Sequence, residues 1–367
     1  MKIGIDISQI VYGGGVSVYT QNLLESLLRA DKSNEYVLFF SSLRRKINSS
    51  FVNGLTSSWV NLRNFKFPQS LLDFIWNRLH ILPIENFIGR VDVFHSSDWT
   101  QPPSKFAKLV TTIHDLSFLK DPETVHPKVL AVQKRRLNWV KKEVNHIIAV
   151  SEATKKEIIE LLDIPEKKIS VIYEALPEEI KRYEICDKRY EEIKRKYGIS
   201  KPYLFAYGSQ APRKNIKRII AAFKQAKLET PDLQLVICGA YKEEKKEKDV
   251  MVTGFLPREE MLTLFSQATV FVYPSLYEGF GLPILEAFCF KVPVVTSNTS
   301  SLPEVAGDAA ILVNPLSVDS IAEGIKKVIL DKKGYNNLIA RGGERLKLFS
   351  WEKTAEQTIE VYEKMIG

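Results

Sequence analysis

The sequence predicts an α/β protein made of two doubly wound domains that face one another across a cleft, and three observations carry that expectation. The chain has 367 residues, more than one typical hydrophobic core accommodates, so two domains are expected. Short apolar runs alternate with amphipathic helical patterns, which implies parallel sheets with helices on both faces. A stretch rich in Lys, Arg and Glu between Pro177 and Pro202 interrupts the alternation before it starts again. The expected division is a first domain over residues 1–180, a linker over 181–200 and a second domain over 201–350.

Taken in order, KIGIDIS reads as a buried strand, Gly13-Gly14-Gly15 as a tight connection and VSVYTQNLLESLLRAD as a helix with apolar residues at helical spacing. YVLFFSS, VDVFHSS, LVTTIHD, HIIAVS and ISVIYEAL repeat the strand pattern. PKVLAVQKRRLNWVKKEV and SEATKKEIIELLD read as helices, the second opened by a serine cap. In the second half the strands are YLFAYGS, LQLVICG, DVMVTGF, TVFVYPS, PVVTSN and AAILVNP, with helices such as NIKRIIAAFKQAK and VDSIAEGIKKVIL among them. In such folds ligands gather at the carboxyl ends of the strands, so the residues just after each strand are the functional candidates.

Composition narrows the class. Apolar residues make up 45% and charged residues 26% of the chain, the values of an ordinary globular protein. MKIGIDISQIVYGGG lacks the apolar core of a signal peptide, and no run of eighteen apolar residues predicts a membrane span. Cys186, Cys238 and Cys289 are odd in number and form no CxxC pair, which argues against a disulfide framework or zinc site and fits a reducing cytoplasm. The net charge is +8, and residues 1–150 hold 19 Lys/Arg against 12 Asp/Glu. Arg44-Arg45-Lys46 and Lys134-Arg135-Arg136 with Lys141-Lys142 read either as solvated faces or as contacts for anionic lipid headgroups or a phosphorylated acceptor. Nucleic acid is not expected, because no binding motif accompanies the charge.

Four sets of residues follow predicted strands. Gly13-Gly14-Gly15 lets backbone amides and a positive helix end approach an anion or sugar, or serves only as a turn; it is not a GxGxxG fingerprint. His114, with Asp115, ends LVTTIHD, where a histidine donates to substrate or is merely a satisfied structural group. In GSQAPRKN, Arg213 and Lys214 follow a strand at the head of a helix, an arrangement suited to a diphosphate, with a solvated helix start as the plainer reading. In YPSLYEGFGLPILEAF, Glu278 lies on a glycine-rich loop and Glu286 inside a helix that Pro283 helps to start. Two carboxylates so placed serve different jobs, or stand eight residues apart by chance.

Together Gly13 to Gly15, His114-Asp115, PRKN (212–215), the YPSLYEGFGLPILEAF stretch and SSLPEVAGDAA (300–310) resemble glycosyltransferase family 4. The resemblance implies retaining, nucleotide-sugar-dependent chemistry on the GT-B fold of two Rossmann-like domains. It extends through FSWEKTAEQTIEVYEKM (349–365), so a terminal helix over 351–367 is expected to pack back on the first domain. By the same resemblance Glu278 contacts the transferred sugar, the Gly279-Phe280-Gly281-Leu282 backbone touches sugar and phosphate, and Glu286 holds the ribose. Arg213 and Lys214 bind the diphosphate, His114 lies beside the reacting sugar, Gly14 and Gly15 come near the donor phosphates, and Phe255 in VTGFLP passes the nucleobase. Two departures stand out: Phe288-Cys289-Phe290-Lys291 replaces a small-residue turn containing glycine, and Ser209 stands where many members carry arginine.

The implied reaction is transfer of a hexose from a nucleoside diphosphate sugar to a glycan or lipid-linked acceptor, with GDP-mannose as first donor and UDP-glucose and UDP-N-acetylglucosamine open. The closest likeness within the family is to bacterial mannosyltransferases of surface polysaccharide assembly. The leaving diphosphate is expected to be stabilised electrostatically and to take the acceptor proton. No cofactor or metal is expected, since the chain contains no Asp-x-Asp and no histidine pair at ligand spacing. A nucleotide-sugar epimerase and a silent nucleotide-sugar-binding subunit are the rivals. FPQSLLDFIWNRLHIL (67–82), through Trp76, faces a lipid-linked acceptor or belongs to the core. The expected location is the cytoplasm, with peripheral contact at the inner face of the cell membrane through the basic first half.

Overall fold

A computed structural model describes residues 1–48, 51, 58–184, 187–242 and 247–367. The chain forms two compact units, residues 1–175 with 350–367, and residues 176–349.

The first unit holds a seven-stranded sheet in the order β3-β2-β1-β4-β5-β6-β7. Its strands are β1 (Lys2–Asp6), β2 (Glu35–Ser41), β3 (Val60–Phe65), β4 (Val93–Ser96), β5 (Lys108–Ile113), β6 (His146–Ala149) and β7 (Ile169–Val171). All pairings are parallel, as continuous apolar strands joined by crossover helices require. The order reverses direction between β1 and β4, so the chain after β1, which carries Gly13 to Gly15, leaves the sheet at a topological switch point.

Trp76 belongs to the core of this unit: it is fully buried, packs on Phe39 and Phe87, and donates its Nε1–H to Leu82 O at 3.0 Å. The reading in which Trp76 faces an acceptor is therefore corrected, because the helical segment Gln69–Leu79 turns its largest ring inward. It leaves Leu71, Phe74 and Leu79 exposed on the other side. The basic stretch at 134–136 is also corrected. Arg136 is 1% exposed, with Nη1 3.3 Å from Asp98 Oδ1 and Nη2 donating to Thr111 Oγ1 at 2.7 Å, and Arg135 pairs with Asp73 at 2.6 Å. Helical spacing turns these two guanidinium groups toward the protein, while Lys134, Lys141 and Lys142 stay exposed.

The terminal helix Trp351–Ile366 is capped by Ser350 and packs on the helix Gly15–Ala30. Tyr362 OH lies 2.6 Å from His95 Nδ1, and Thr354 Oγ1 donates to Tyr173 O at 2.7 Å. These residues belong to the same compact unit as the first 175, although 174 residues of the second unit intervene in sequence.

The second unit holds six parallel strands in the order β10-β9-β8-β11-β12-β13. They are β8 (Tyr203–Gly208), β9 (Gln234–Gly239), β10 (Val250–Gly254), β11 (Val270–Tyr273), β12 (Val294–Ser297) and β13 (Ala310–Val313). Its switch point lies between β8 and β11. Residues expected as a linker contain the helix Asp187–Tyr197, which buries Ile193 and pairs Arg189 with Glu259 and Lys196 with Glu260. One apolar position in such a charged helix is enough to seat it on the second unit, so the boundary falls at residue 176. Cys238 and Cys289 are free thiols; Cys186 lies outside the described residues. Among the described residues, no helix is long and apolar enough to cross a membrane and no group of three His, Cys, Asp or Glu converges as a metal site.

Candidate functional site

In the second unit the polar cluster is built where β8 and β11 leave the sheet. After β8 the chain enters a tight turn, Pro212–Lys214, and Asn215 takes a left-handed conformation with φ 63° before the helix Ile216–Ala226 begins. Asn215 Nδ2 donates to Pro274 O at 2.9 Å and Pro315 O at 2.7 Å, and Leu276 N donates to Arg213 O at 2.8 Å. The turn carrying both cations is thereby tied to the exit of β11, which carries Glu278. Asparagine suits this place because it tolerates φ above zero and its amide supplies the two donors.

Glu278 is the carboxylate on which this turn closes. Its Oε2 lies 3.0 Å from Arg213 Nη1, and its Oε1 accepts from Lys214 Nζ at 2.7 Å. Lys214 Nζ also donates to Tyr273 OH at 2.7 Å. Burial pushes the Glu278 carboxyl upward, but Lys214 and Arg213 outweigh it and hold the group below the ordinary glutamate value. The loop backbone is fixed from below. Ser300 Oγ donates to Glu278 O at 2.5 Å, and the Ser301 hydroxyl is shared between Glu278 O at 2.9 Å and Phe280 O at 2.7 Å. The serines of SSLPEVAGDAA thus support the loop of YEGFG.

Phe280 is buried, so its ring is turned away from solvent. Gly281 has φ 117°, and a Cβ there would stand 2.9 Å from Leu302 Cδ2, so only glycine fits before the helix Leu282–Cys289. Glu286, within that helix, belongs to a separate network. Tyr207 OH donates to its Oε2 at 2.7 Å, and Arg258 Nη2 lies 3.5 Å from its Oε1. Burial raises the Glu286 carboxyl above its ordinary value, against the pull of Arg258 and Tyr207. Sequence reasoning missed both partners. Tyr207 stands one residue before the Gly208-Ser209 exit of β8, which was the available signal; Arg258, four residues after β10, gave none.

The bulky turn after this helix is absorbed by packing. Phe288 is buried against Gly342, where a Cβ would meet its ring at 2.7 Å, and Phe290 packs edge-on to Phe265 and Tyr183. Lys291 takes φ 58° in place of the expected glycine. Ser209 Oγ accepts from Ala211 N at 3.1 Å, and Phe255 is 84% exposed; among the described residues, neither joins the Glu278 or Glu286 networks by a hydrogen bond or ring contact.

In the first unit, Gly13 and Gly14 have φ 79° and 81°, and Gly14 caps the helix that Gly15 opens. Nothing lies within 4 Å of a Cβ built on any of the three, so conformation rather than crowding selects glycine. His114, just after β5, places Nδ1 3.0 Å from Glu174 Oε1, and its ring meets Tyr19 edge-on at 4.6 Å. It lines a cavity of about 30 Å³ with Asp6, Tyr19, His95, Asp98 and Thr112. Burial pushes His114 down, but the hydrogen bond and charge of Glu174, with Asp98 and Asp115, bring it above the ordinary histidine value. His95 falls to about 3 through burial, then through His114 and Arg136, and is neutral. Glu174 was also missed from sequence; it lies three residues beyond β7 in ISVIYEAL.

Residues 13–179 match the family described as "Glycosyltransferase Family 4", and residues 189–345 match "Glycosyl transferases group 1". The O-antigen chain mannosyltransferase B of Escherichia coli is 33% identical over 288 residues, 71% of each chain. Among solved structures, sucrose-phosphate synthase from Thermosynechococcus elongatus superposes with a TM-score of 0.72 at 19% identity, covering 100% of this chain and 99% of that one. Anabaena Alr3699/HepE in complex with UDP-glucose does so with a TM-score of 0.67 at 17% identity, covering 99% of this chain and 100% of that one. Those two likenesses concern the fold, which is GT-B, with its two Rossmann-like domains. With the matches covering both units and a mannosyltransferase sharing a third of the aligned residues, the chain belongs to glycosyltransferase family 4 and is a hexosyltransferase.

Proposed function

We propose that this enzyme transfers mannose from GDP-mannose, with retention, to a glycan or lipid-linked acceptor. The observation that carries the donor-site reading is the closure of Arg213 and Lys214 on the single carboxylate of Glu278. Two cations gathered at a strand exit match the charge of a diphosphate, arginine offering a forked pair of donors and lysine a compact charge. Glu278, released in part as the phosphates take up the cations, turns to the hydroxyls of the transferred sugar. The backbone of Gly279 to Leu282 lies beside sugar and phosphate, and Glu286, held by Tyr207, receives the ribose. Ser209 and Phe255 flank the nucleotide, while Gly14, Gly15 and His114 serve the reacting end.

As the glycosyl bond breaks, negative charge grows on the diphosphate, and Arg213 and Lys214 stabilise it; the diphosphate oxygen then accepts the acceptor proton on the same face. The cations do the work a metal would do, so neither metal nor cofactor takes part in this reading. Mannose is favoured over glucose because the E. coli relative is named a mannosyltransferase. An epimerase finds no support in that relationship.

The acceptor reading favours a lipid-linked glycan at the inner face of a cell membrane. Leu71, Phe74, Leu79, Ile81 and Leu82 are exposed in one stretch, and Arg44 to Lys46, Lys141 and Lys142 supply exposed cations elsewhere in the same unit. Flotation with vesicles containing anionic lipid, compared with neutral vesicles and with a Phe74→Ser/Leu79→Ser variant, tests that contact; equal flotation in all three excludes it.

The donor assignment is tested by thermal shift against GDP-mannose, UDP-glucose, UDP-N-acetylglucosamine and the free nucleotides, repeated with Arg213→Ala and Glu278→Ala. GDP-mannose should give the largest shift, Arg213→Ala should abolish the shift of every diphosphate, and Glu278→Ala should remove the sugar-dependent part while leaving the response to free diphosphates at least as large. Equal shifts for all nucleotides in all three proteins exclude the site. The anomeric configuration of the product, read by NMR, tests retention, and undiminished turnover in chelator tests the absence of metal.

A further inference from the structure

His114 is held by a carboxylate that belongs to neither strand beside it in sequence. Glu174 comes from the segment after β7, sixty residues away, and its side chain is 7% exposed against 14% for His114. Its contact at 3.0 Å is to Nδ1. The other ring nitrogen, Nε2, makes no hydrogen bond among the described residues, and His114 lines the small cavity beside the helix that Gly13 to Gly15 introduce. An imidazole fixed on one nitrogen by a buried carboxylate has a defined tautomer and a defined orientation, which leaves the second nitrogen as its working atom.

We propose that Glu174 is a positioning residue for glycosyl transfer: its buried carboxylate, 3.0 Å from Nδ1, fixes the His114 ring and favours the doubly protonated imidazolium, whose Nε2–H donates to the donor sugar or the departing oxygen. The inference rests on the reading that places His114 beside the reacting sugar. A charged donor there does more than a neutral one, since a hydrogen bond from an ionised group is roughly twice as strong and strengthens as negative charge develops.

The other groups facing His114 are compatible with this role. Asp98, after β4, and Asp115, on the same loop, both favour the charged ring. Arg136, from the helix Pro127–Glu143, is paired with Asp98. His95, on β4, is neutral, with Nδ1 at Tyr362 OH and Nε2 at Thr112 Oγ1. Tyr19 offers His114 its ring, and its hydroxyl is engaged by Thr112. Among the described residues, only Glu174 hydrogen-bonds a ring nitrogen of His114.

Glu174→Gln keeps the size and an accepting oxygen and removes the charge, so it separates the electrostatic role from packing. The chain has 5 histidines, and the His114 imidazole signal is assigned by its loss in His114→Gln. In Glu174→Gln that signal should titrate at lower pH. The alkaline limb of the kcat/KM profile should move in the same direction, with kcat/KM on that limb falling about tenfold or more while donor KM changes little. Glu174→Asp should restore much of both. An unmoved His114 titration overturns the proposal, and so does a moved titration with an unmoved rate profile, which would leave the pair structural only. If the wild-type protein shows no thermal shift with any nucleotide sugar, the donor-site reading fails and takes the role of His114 with it, whereas the titration still reports the pair on its own.

Discussion

Lys214 and Arg213 hold the two oxygens of the Glu278 carboxylate separately, at 2.7 and 3.0 Å, so the chain closes its own cations on its own anion. The pair of residues from PRKN and the glutamate of YEGFG stand more than sixty positions apart in sequence and act as one charge-balanced unit in the fold. On the proposed reading, a diphosphate competes with Glu278 for both cations.

Glu278→Gln should therefore weaken catalysis while strengthening the grip on free diphosphates. Transfer is expected to fall by about a hundredfold or more, as for the loss of a group acting in the transition state, with tighter binding of GDP or inorganic pyrophosphate by calorimetry. Because the folded carboxyl lies below its ordinary value of 4.5, its stabilising contribution is present above that value and is lost as pH falls through the folded one. Acid unfolding of the wild type should accordingly be steeper than that of Glu278→Gln in that range.

Glu286 predicts the opposite sign. Its carboxyl is raised above 4.5, so the folded state binds the proton more tightly and stability declines as pH rises through the folded value. Glu286→Gln should raise Tm near neutral pH and flatten its dependence on pH, yet weaken nucleotide binding by about tenfold, roughly 1.4 kcal/mol. A lower Tm together with unchanged nucleotide affinity would falsify both halves of this assignment.

Arg136 and the neighbouring lysines should separate sharply in stability measurements. Arg136→Ala leaves Asp98 and the hydroxyl of Thr111 without their buried partner and should cost about 3 to 5 kcal/mol in denaturant unfolding. Lys134→Ala and Lys142→Ala should change it by about 0.5 kcal/mol or less, as exposed positions do. Equal effects at all three positions would contradict the inward placement of Arg136.

Lys291 stands at φ 58°, a conformation that costs a residue with a Cβ about 1 kcal/mol. Lys291→Gly should recover part of that, raising Tm by a few degrees with no change in nucleotide affinity. If affinity changes as well, the turn communicates with Glu286 through the helix Leu282–Cys289 in a way its packing does not suggest.

Much of the site was legible because its residues occupy strand exits, and strand exits are marked locally: an apolar run, then glycine, proline or a cap. Gly281, Asn215 and Gly14 need a left-handed backbone at their positions, so their identity announces the turn. The partners were less legible. Tyr207, Arg258, Glu174 and the supporting Ser300 and Ser301 each look like an ordinary surface or strand residue in one dimension. The basic helix misled for a physical reason, since a run of adjacent cations reads as a charged face although helical geometry sends neighbours in different directions.

By itself the sequence determined the two parallel sheets, the placement of Arg213, Lys214, Glu278, Glu286 and His114 after their strands, and the family to which they belong, because periodicity and turn chemistry act over a few residues. Only the tertiary structure decided that Lys214 and Arg213 converge on one carboxylate, that Tyr207 meets Glu286, that Glu174 holds His114, and that Trp76 and Arg136 face inward. Those outcomes depend on which strands become neighbours and which helix faces are covered, and charges separated by dozens of residues are brought together or kept apart only when the sheets are assembled.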